Sequence, residues 1–329
     1  MNILLIGGAG YIGSNVSLLL KQKRPDDFVL VLDNFSTGTK QALVPYVEWV
    51  EADVRNYEQL NSIFKYKKFD VVMDFSALTI VSESTKKPLE YYEDNFIGTQ
   101  NIIRAMKENN VKNLIFSSTA AVYGNPKQVP IVETSLKDPI NPYGNSKLCS
   151  EFLIKDAHNA YGINYVIFRY FNVAGASDDH NYGFFRPNPT LLIPALNTAI
   201  LKKEKFHIFG NDYDTKDGTC IRDYIHVVDL AEAHLLALDW MITNNSSNDF
   251  NLGSGTGYSV KEVLNETLST INEELEYDFE PRRDGDPAIL ITNNEKAETI
   301  LKWTAKKTLK DMIESDFLFR QKHWKEIDK

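Results

Sequence analysis

The run Asn2-Ile3-Leu4-Leu5-Ile6-Gly7-Gly8-Ala9-Gly10-Tyr11-Ile12-Gly13 decides the fold. Its first five residues, mostly Ile and Leu, read as a buried strand. The glycines fit two overlapping patterns: G-x-x-G-x-x-G through Gly7, Gly10 and Gly13, and G-x-G-x-x-G through Gly8, Gly10 and Gly13. Helical spacing follows over residues 12–23. Strand, glycine turn and helix in that order aim backbone N–H groups and a helix N-terminus at one point. The missing Cβ atoms let a pyrophosphate approach the backbone. Asp33 stands twenty positions beyond Gly13, at the end of the next apolar run. A carboxylate there accepts from a ribose 2′-OH and repels a 2′-phosphate, which favours NAD over NADP.

Further along, apolar runs at 28–32, 47–51, 71–75, 113–117 and 164–169 alternate with helix-length segments at 57–65, 88–109 and 142–161. Repeated strand–helix units predict a Rossmann-type α/β fold, a doubly wound parallel sheet covered on both faces. Asn141 is placed to cap a helix with Pro142 at its first position, and Pro88 serves likewise. At 174–188 Gly, Asp, His, Asn and Pro crowd together as a loop or seam. Beyond it the pattern is more irregular, with helical segments at 229–243, 259–272 and 308–323. The expected division is a dinucleotide-binding domain over 1–175 and a smaller C-terminal α+β substrate lobe over 176–329. Segments near 225–255 are expected to pack back on the first domain.

Composition narrows the function. The chain has 329 residues, 43% hydrophobic and 25% charged, with a formal net charge of −9. An acidic chain without a basic patch is not expected to bind nucleic acid. No apolar run is long enough to span a bilayer, and no secretory leader is seen, so a cytoplasmic protein is expected. Cys149 and Cys220 are too few for a disulfide framework, and the six histidines lack metal-site spacing, so no metal is expected. Gly253-x-Gly255-x-Gly257 imitates a second phosphate loop but reads as a tight turn.

Two features suggest chemistry. Tyr143 and Lys147 form Y-x-x-x-K at a helix start, on one helical face. A phenol near pKa 10 needs about three units of depression to act as a base near neutrality, and a nearby ammonium supplies part of it. Ser117-Ser118-Thr119 ends a strand, where α/β sheets place ligands, so Thr119 is placed to share a hydrogen bond with a substrate hydroxyl. Chance spacing and a satisfied strand end are the bland alternatives for each feature alone. Their order behind the glycine loop argues against both.

The sequence resembles the extended short-chain dehydrogenase/reductase family and, within it, the UDP-glucose 4-epimerases. The resemblance runs nearly end to end through GGAGYIGS (7–14), LDNFSTG (32–38), ADVRN (52–56), KPLEYYEDN (87–95), FSSTAAVYG (116–124), NPYGNSK (141–147), RYFNVAGA (169–176), FGNDYDTKDGTCIRDYIHVVDLA (209–231), NLGSGTGYSV (251–260) and PRRDGDPA (281–288). It implies retained NAD, a UDP-hexose substrate and a paired-helix homodimer. Cofactor contacts would come from Gly7, Gly10, Tyr11, Ile12 and Gly13, then from Asp33, Asn34, Phe35, Ser36, Thr37 and Gly38. Asp53, Val54, Phe75, Ser76, Ala77, Asn95, Ser117, Tyr143, Lys147, Tyr170 and Phe171 would complete the set. Thr119, Tyr143 and Lys147 would be catalytic. Thr119, Asn172, Leu192, Phe209, Arg222, Tyr224, Arg283 and Asp286 would hold the substrate. The arginines suit a diphosphate, while Asp223, Asp284 and Asp286 allow simple ion pairing instead.

Three positions depart from the family pattern. Ser76-Ala77-Leu78-Thr79 stands where a small pair is often followed by Lys, Leu191 where Asn or His is common, and Leu290 near a residue that gates the sugar pocket. The resemblance implies 4-epimerisation of UDP-galactose and UDP-glucose. The alternatives are a related UDP-sugar epimerase acting on an N-acetylhexosamine, pentose or uronate, a sugar-nucleotide dehydratase or dehydrogenase, or a non-catalytic NAD-sensing module. Ala120-Ala121 argues against the dehydratase, which the family equips with Asp-Glu after the strand-end Thr.

Overall fold

A computed structural model describes residues 1–283 and 286–328. Asp284, Gly285 and Lys329 lie outside the described residues. The strands are β1 (Asn2–Ile6), β2 (Phe28–Asp33), β3 (Glu48–Glu51), β4 (Val71–Asp74), β5 (Asn113–Thr119), β6 (Asn164–Tyr170), β7 (Asn172–Ala174), β8 (Phe206–Phe209), β9 (Ile221–His226), β10 (Asn248–Leu252), β11 (Gly257–Ser259), β12 (Tyr277–Glu280) and β13 (Ile289–Leu290). Seven form one sheet in the order β10-β6-β5-β4-β1-β2-β3. The β1–β2, β1–β4, β2–β3 and β4–β5 pairs are parallel, so the carboxyl ends of β1 to β5 share one edge. The Rossmann-type expectation holds.

The chain divides into two compact units. The first comprises Met1–Gly124, Leu136–Arg169 and Ala231–Phe250, and the second Asn125–Ser135, Tyr170–Leu230 and Asn251–Lys329. In the first unit Leu4, Ile6, Leu30, Leu32, Val72, Leu114 and Phe116 form one core with Leu60, Phe64, Ile102, Met106 and Ile154 from three helices. The alternate residues Ile3, Leu5, Val31, Met73 and Ile115 are equally buried. Side chains alternate across a strand, so both faces of this sheet are covered.

Local chemistry sets the helix carrying Tyr143 and Lys147, Pro142–Tyr161. Asn141 Oδ1 accepts from Gly144 N at 2.9 Å, Pro142 opens the first turn, and Gly162 closes it in the left-handed region. The expected single helix at 88–109 differs. It is Pro88–Tyr92, a π-helical turn Glu93–Ile97, and Gly98–Glu108. The reason is Asn95. The wider turn aims its amide at Leu78 N and O (2.9 and 3.1 Å) and Ser146 Oγ (3.0 Å), satisfying a side chain that burial would otherwise strand.

The second unit, taken by itself, contains a small sheet in which β9 pairs with β11, β13 and β7, and a parallel β8–β12 pair. Its core gathers Leu196, Ile208, Tyr224, Leu264 and Ile313. Ser259 and Thr308 each start a helix with a capping box, through Glu262 and Asp311.

Candidate active site

Within the first unit, ten of the cofactor residues expected from sequence gather at the carboxyl edge of the sheet, while Tyr170 and Phe171 belong to the second unit. A cavity there is lined by Gly7, Gly10, Asp33, Asn34, Ser36, Thr37, Val54, Phe75, Ser76 and Ala77, together with Asp94, which sequence reasoning missed. The glycines differ in what they meet. Gly7 has φ +74°, and a Cβ there would lie 2.8 Å from the Phe75 carbonyl carbon. A Cβ on Gly13 would fall 2.5 Å from Gly7 O and 2.7 Å from Gly8 Cα, so close helix–strand packing requires it. At Gly10, among the described residues, a Cβ would meet a single atom, Gly7 O at 3.2 Å, a close contact but far less crowded than at Gly13. That lighter crowding leaves the backbone there accessible to a diphosphate. Tyr11 and Ile12 open the helix Tyr11–Lys23 just beyond it.

Asp33 is buried at the end of β2. Its carboxylate accepts from Ala9 N (2.9 Å) and Phe35 N (2.8 Å), which ties it to the glycine loop. Burial pushes its carboxyl up and those two bonds pull it back. Gly38 packs so close that a Cβ would meet Asp33 Oδ1 at 2.9 Å. Asp53 binds Arg55 Nη2 (2.6 Å) and accepts from Asn34 Nδ2 (3.1 Å), and the Arg55 bonds hold it down at about 2. Phe35 is edge-on to Trp49, centroids 5.7 Å apart. An accessible backbone at Gly10 and an acid fixed next to it fit a dinucleotide. Asn95 spends its amide on Leu78 and Ser146, as above, and Ser117 lies within β5.

Thr119, Tyr143 and Lys147 also come together in this unit. The half-buried Tyr143 hydroxyl is hydrogen-bonded to the Thr119 side chain, whose Oγ1 also accepts from Ala121 N at 3.1 Å. Tyr91 stands edge-on to Tyr143, centroids 6.3 Å apart. Lys147 is buried one turn on, its Nζ 4.0 Å from the Phe116 ring centre. The phenol differs from the expectation of depression. Burial raises Tyr143, and only the Thr119 bond lowers it. Burial likewise lowers Lys147 to about 8, against the pull of Asp74 and Glu151. Desolvation penalises both charged forms, yet a lysine near 8 remains mostly an ammonium at neutral pH while the phenol keeps its proton.

Sequence reasoning missed what lies behind this helix. Glu151 accepts from Arg169 Nε and Nη2 (2.9 and 2.7 Å) and Ser118 Oγ (2.6 Å), and Arg169 also reaches Tyr123 and Asp249. Glu151 and Arg169 are wholly buried. Glu151 follows Lys147 by four residues, and charges inside apolar segments were the available signal.

The expected substrate residues other than Thr119 lie in the second unit. Arg222 is buried on β9, paired with Asp286, and donates to Ile221 O (2.8 Å). Arg283 stacks on Phe209 with its guanidinium carbon 4.1 Å from the ring centre, and Arg282 stacks on Tyr213 at 4.2 Å. Asn172 pairs in register with Tyr224, and its amide donates to Asp223 O at 2.8 Å. Tyr170 and Phe171 are buried before it. Leu192 opens the helix Leu192–Lys202, and Leu191 caps that helix without a side-chain bond. Leu290 is the register partner of Arg222. Asp223 does not serve as an arginine partner. It accepts from Ser254 N and Oγ, Gly255 N and Thr292 N. The Gly253–Gly257 loop thus spends N–H groups on a carboxylate. His226 bonds Ser315 Oγ (3.0 Å), and His234 packs against Phe75 and Phe168. Both act as internal fillers.

The chain matches the NAD dependent epimerase/dehydratase family over residues 3–253, and it belongs to that family. Its relatives narrow the class to the UDP-glucose 4-epimerases. It is 44% identical to one from Halalkalibacterium halodurans, across 98% of this chain and 96% of the relative. The structure superposes with TM-score 0.92 on the UDP-glucose 4-epimerase of Bifidobacterium longum solved with NAD+ and UDP, at 35% identity and 98% of both chains. With the UDP-Glc/GlcNAc 4-epimerase of Campylobacter jejuni the TM-score is 0.84 at 41% identity, across 98% of this chain and 99% of that one. No helix among the described residues is long and apolar enough to cross a membrane.

Proposed function

We propose that the chain interconverts UDP-galactose and UDP-glucose by inverting C4 with NAD retained throughout. The observation that carries this is the Tyr143–Thr119 hydrogen bond with buried Lys147 one helical turn away, in the unit that holds the glycine loop. Gly10 and the N-terminus of Tyr11–Lys23 would receive the dinucleotide diphosphate, and Asp33 the adenosine ribose. When bound, NAD supplies a two-electron acceptor and donor and, oxidised, a positive charge. Tyr143, as phenolate, takes the O4 proton and later returns it. Thr119 bridges that hydrogen bond. The Lys147 ammonium stabilises the phenolate, whose formation burial opposes.

The second unit would hold the UDP part. Arg222 and Arg283 match diphosphate geometry, Asp286 orients Arg222, and Phe209 and Tyr224 offer aromatic surface. Asn172 and Leu192 would border the sugar. A firm grip on the nucleotide with few polar contacts to the hexose leaves the 4-keto sugar free to turn over. The first unit is accordingly read as the NAD-binding domain and the second as the UDP-sugar lobe. Acceptance of N-acetylated sugars is a second reading, favoured by the 41% identity to a UDP-Glc/GlcNAc 4-epimerase.

A homodimer is proposed from the apolar side chains Leu89, Ile97 and Phe152, exposed on three helical segments of one unit. The two free cysteines suit a reducing cytoplasm. The test incubates purified protein with UDP-galactose, UDP-glucose and their N-acetyl forms without added NAD. Interconversion of the first pair is expected. Failure to convert any pair, even with NAD supplied, removes the epimerase reading.

A further inference from the structure

Lys147 is buried, yet among the described residues its Nζ has no hydrogen-bond partner. It rests against Phe116 on β5. Phe116 is the register partner of Asp74 on β4. Register partners in a parallel pair point to the same face of the sheet, so Asp74 shares with Phe116 the face that Lys147 covers. Asp74 is 2% exposed, and its Oδ1 accepts from Ser76 N (2.9 Å) and Ser76 Oγ (2.5 Å). Burial pushes the Asp74 carboxyl up, while the Lys147 charge and the two Ser76 bonds pull it back toward the ionised form.

The other charged and titratable groups around the helix are committed elsewhere. Glu151, on the same helix, is neutralised by Arg169, which also holds Asp249. Tyr91, on the neighbouring helix, gives its hydroxyl to Ile80 O and meets Glu83. Asp94 pairs with Arg55 at 3.4 Å, and Lys137 lies over the Tyr123 ring. Tyr143 itself is bonded to Thr119. Of the buried carboxylates near Lys147, Asp74 is the one whose hydrogen bonds come from neutral donors alone.

We propose that Asp74 is a positioning residue for the reaction: its carboxylate is the counter-charge that keeps Lys147 an ammonium, and it thereby sets the alkaline end of the active pH range. The inference rests on the Tyr143–Lys147 reading above. Among the influences on Lys147, the attraction of Asp74 is the largest that opposes burial. A lysine is charged below its pKa. Removing the carboxylate lowers that pKa, and the alkaline limb of activity moves down with it. In the NAD-loaded protein the positive charge of the oxidised cofactor would bring Tyr143 below Lys147; the acid limb then reports the tyrosine and stays in place, since Asp74 is not among the groups that shift Tyr143.

The experiment records kcat/KM against pH for the NAD-loaded wild type, Asp74→Asn and Asp74→Glu, with NAD content and melting temperature as checks on folding. Asp74→Asn should draw the alkaline limb down by about one pH unit, and Asp74→Glu should restore most of it. A limb that stays put, or a loss equal at every pH, overturns the proposal. Carbon-13 NMR of the unmodified protein decides the case even where Asp74→Asn does not fold. Asp74 should be ionised from neutral pH up to the point where Lys147 loses its proton, and a protonated Asp74 at neutral pH overturns the proposal. A Tyr143→Phe protein that keeps turning over would instead remove the reading on which this rests.

Discussion

Gly10 and Gly13 belong to one motif but do different work. A methyl group at Gly13 collides with the backbone of Gly7 and Gly8. Gly13→Ala should therefore cost about 1–3 kcal/mol of stability, read as a lower denaturation midpoint. At Gly10 a Cβ would meet Gly7 O at 3.2 Å, a milder contact, so Gly10→Ala should cost less stability than Gly13→Ala while retaining at least about tenfold less NAD after purification. Equal melting loss in both variants would show that Gly10 is a packing glycine. Tyr143→Phe should lower turnover by about a hundredfold or more with NAD still bound. At this scale the sequence was informative wherever function depends on short spacing, as in the glycines and Tyr143 with Lys147. Asp74 was not legible as a counter-charge for Lys147, because the register of β4 on β5 is what puts Asp74 on the face that Lys147 covers. For Glu151 and Arg169 the signal was two charges inside apolar segments, and their pairing follows only once the helix Pro142–Tyr161 packs on β6.

Elements repeat the point. The helix Pro142–Tyr161 follows its capping signals, since Asn141, Pro142 and Gly162 act within a few residues. Asn141→Ala should cost about 1 kcal/mol in a denaturant titration, and it should lower kcat because Tyr143 stands in the first turn. The segment after Pro88 is broken by a π-turn that no local signal marked, since its cause is the long-range pair of hydrogen bonds in which Asn95 accepts from Leu78 N and donates to Leu78 O.

At the end of β9, Val228 N donates to His226 Nδ1 at 3.1 Å, which requires that nitrogen unprotonated. Burial, followed by Lys307, lowers His226 to about 4. A histidine depressed in the folded state contributes stability above its unfolded pKa of about 6.5, and that contribution is lost as pH falls toward 4. The wild type should lose about 3 kcal/mol over that window. His226→Asn, whose amide can still accept from Val228, should show a flatter dependence. Parallel curves for the two proteins would remove His226 as the source.

For the whole molecule, the parallel sheet and its ligand edge could be read from alternating strands and helices. The second unit was less legible, because its strands are short and its sheets join segments far apart in sequence, such as β9 with β13. Association is argued from one unit's exposed apolar residues. Leu89→Glu with Phe152→Glu should shift a dimer to a monomer in analytical ultracentrifugation, and an unchanged sedimentation coefficient would place the interface elsewhere. The central claim is that one hydride leaves C4 and comes back to it. The most direct measurement is turnover of UDP-galactose deuterated at C4, in ordinary water, with no NAD added. The account predicts UDP-glucose that keeps its deuterium at C4, and loss of the label to solvent would contradict it.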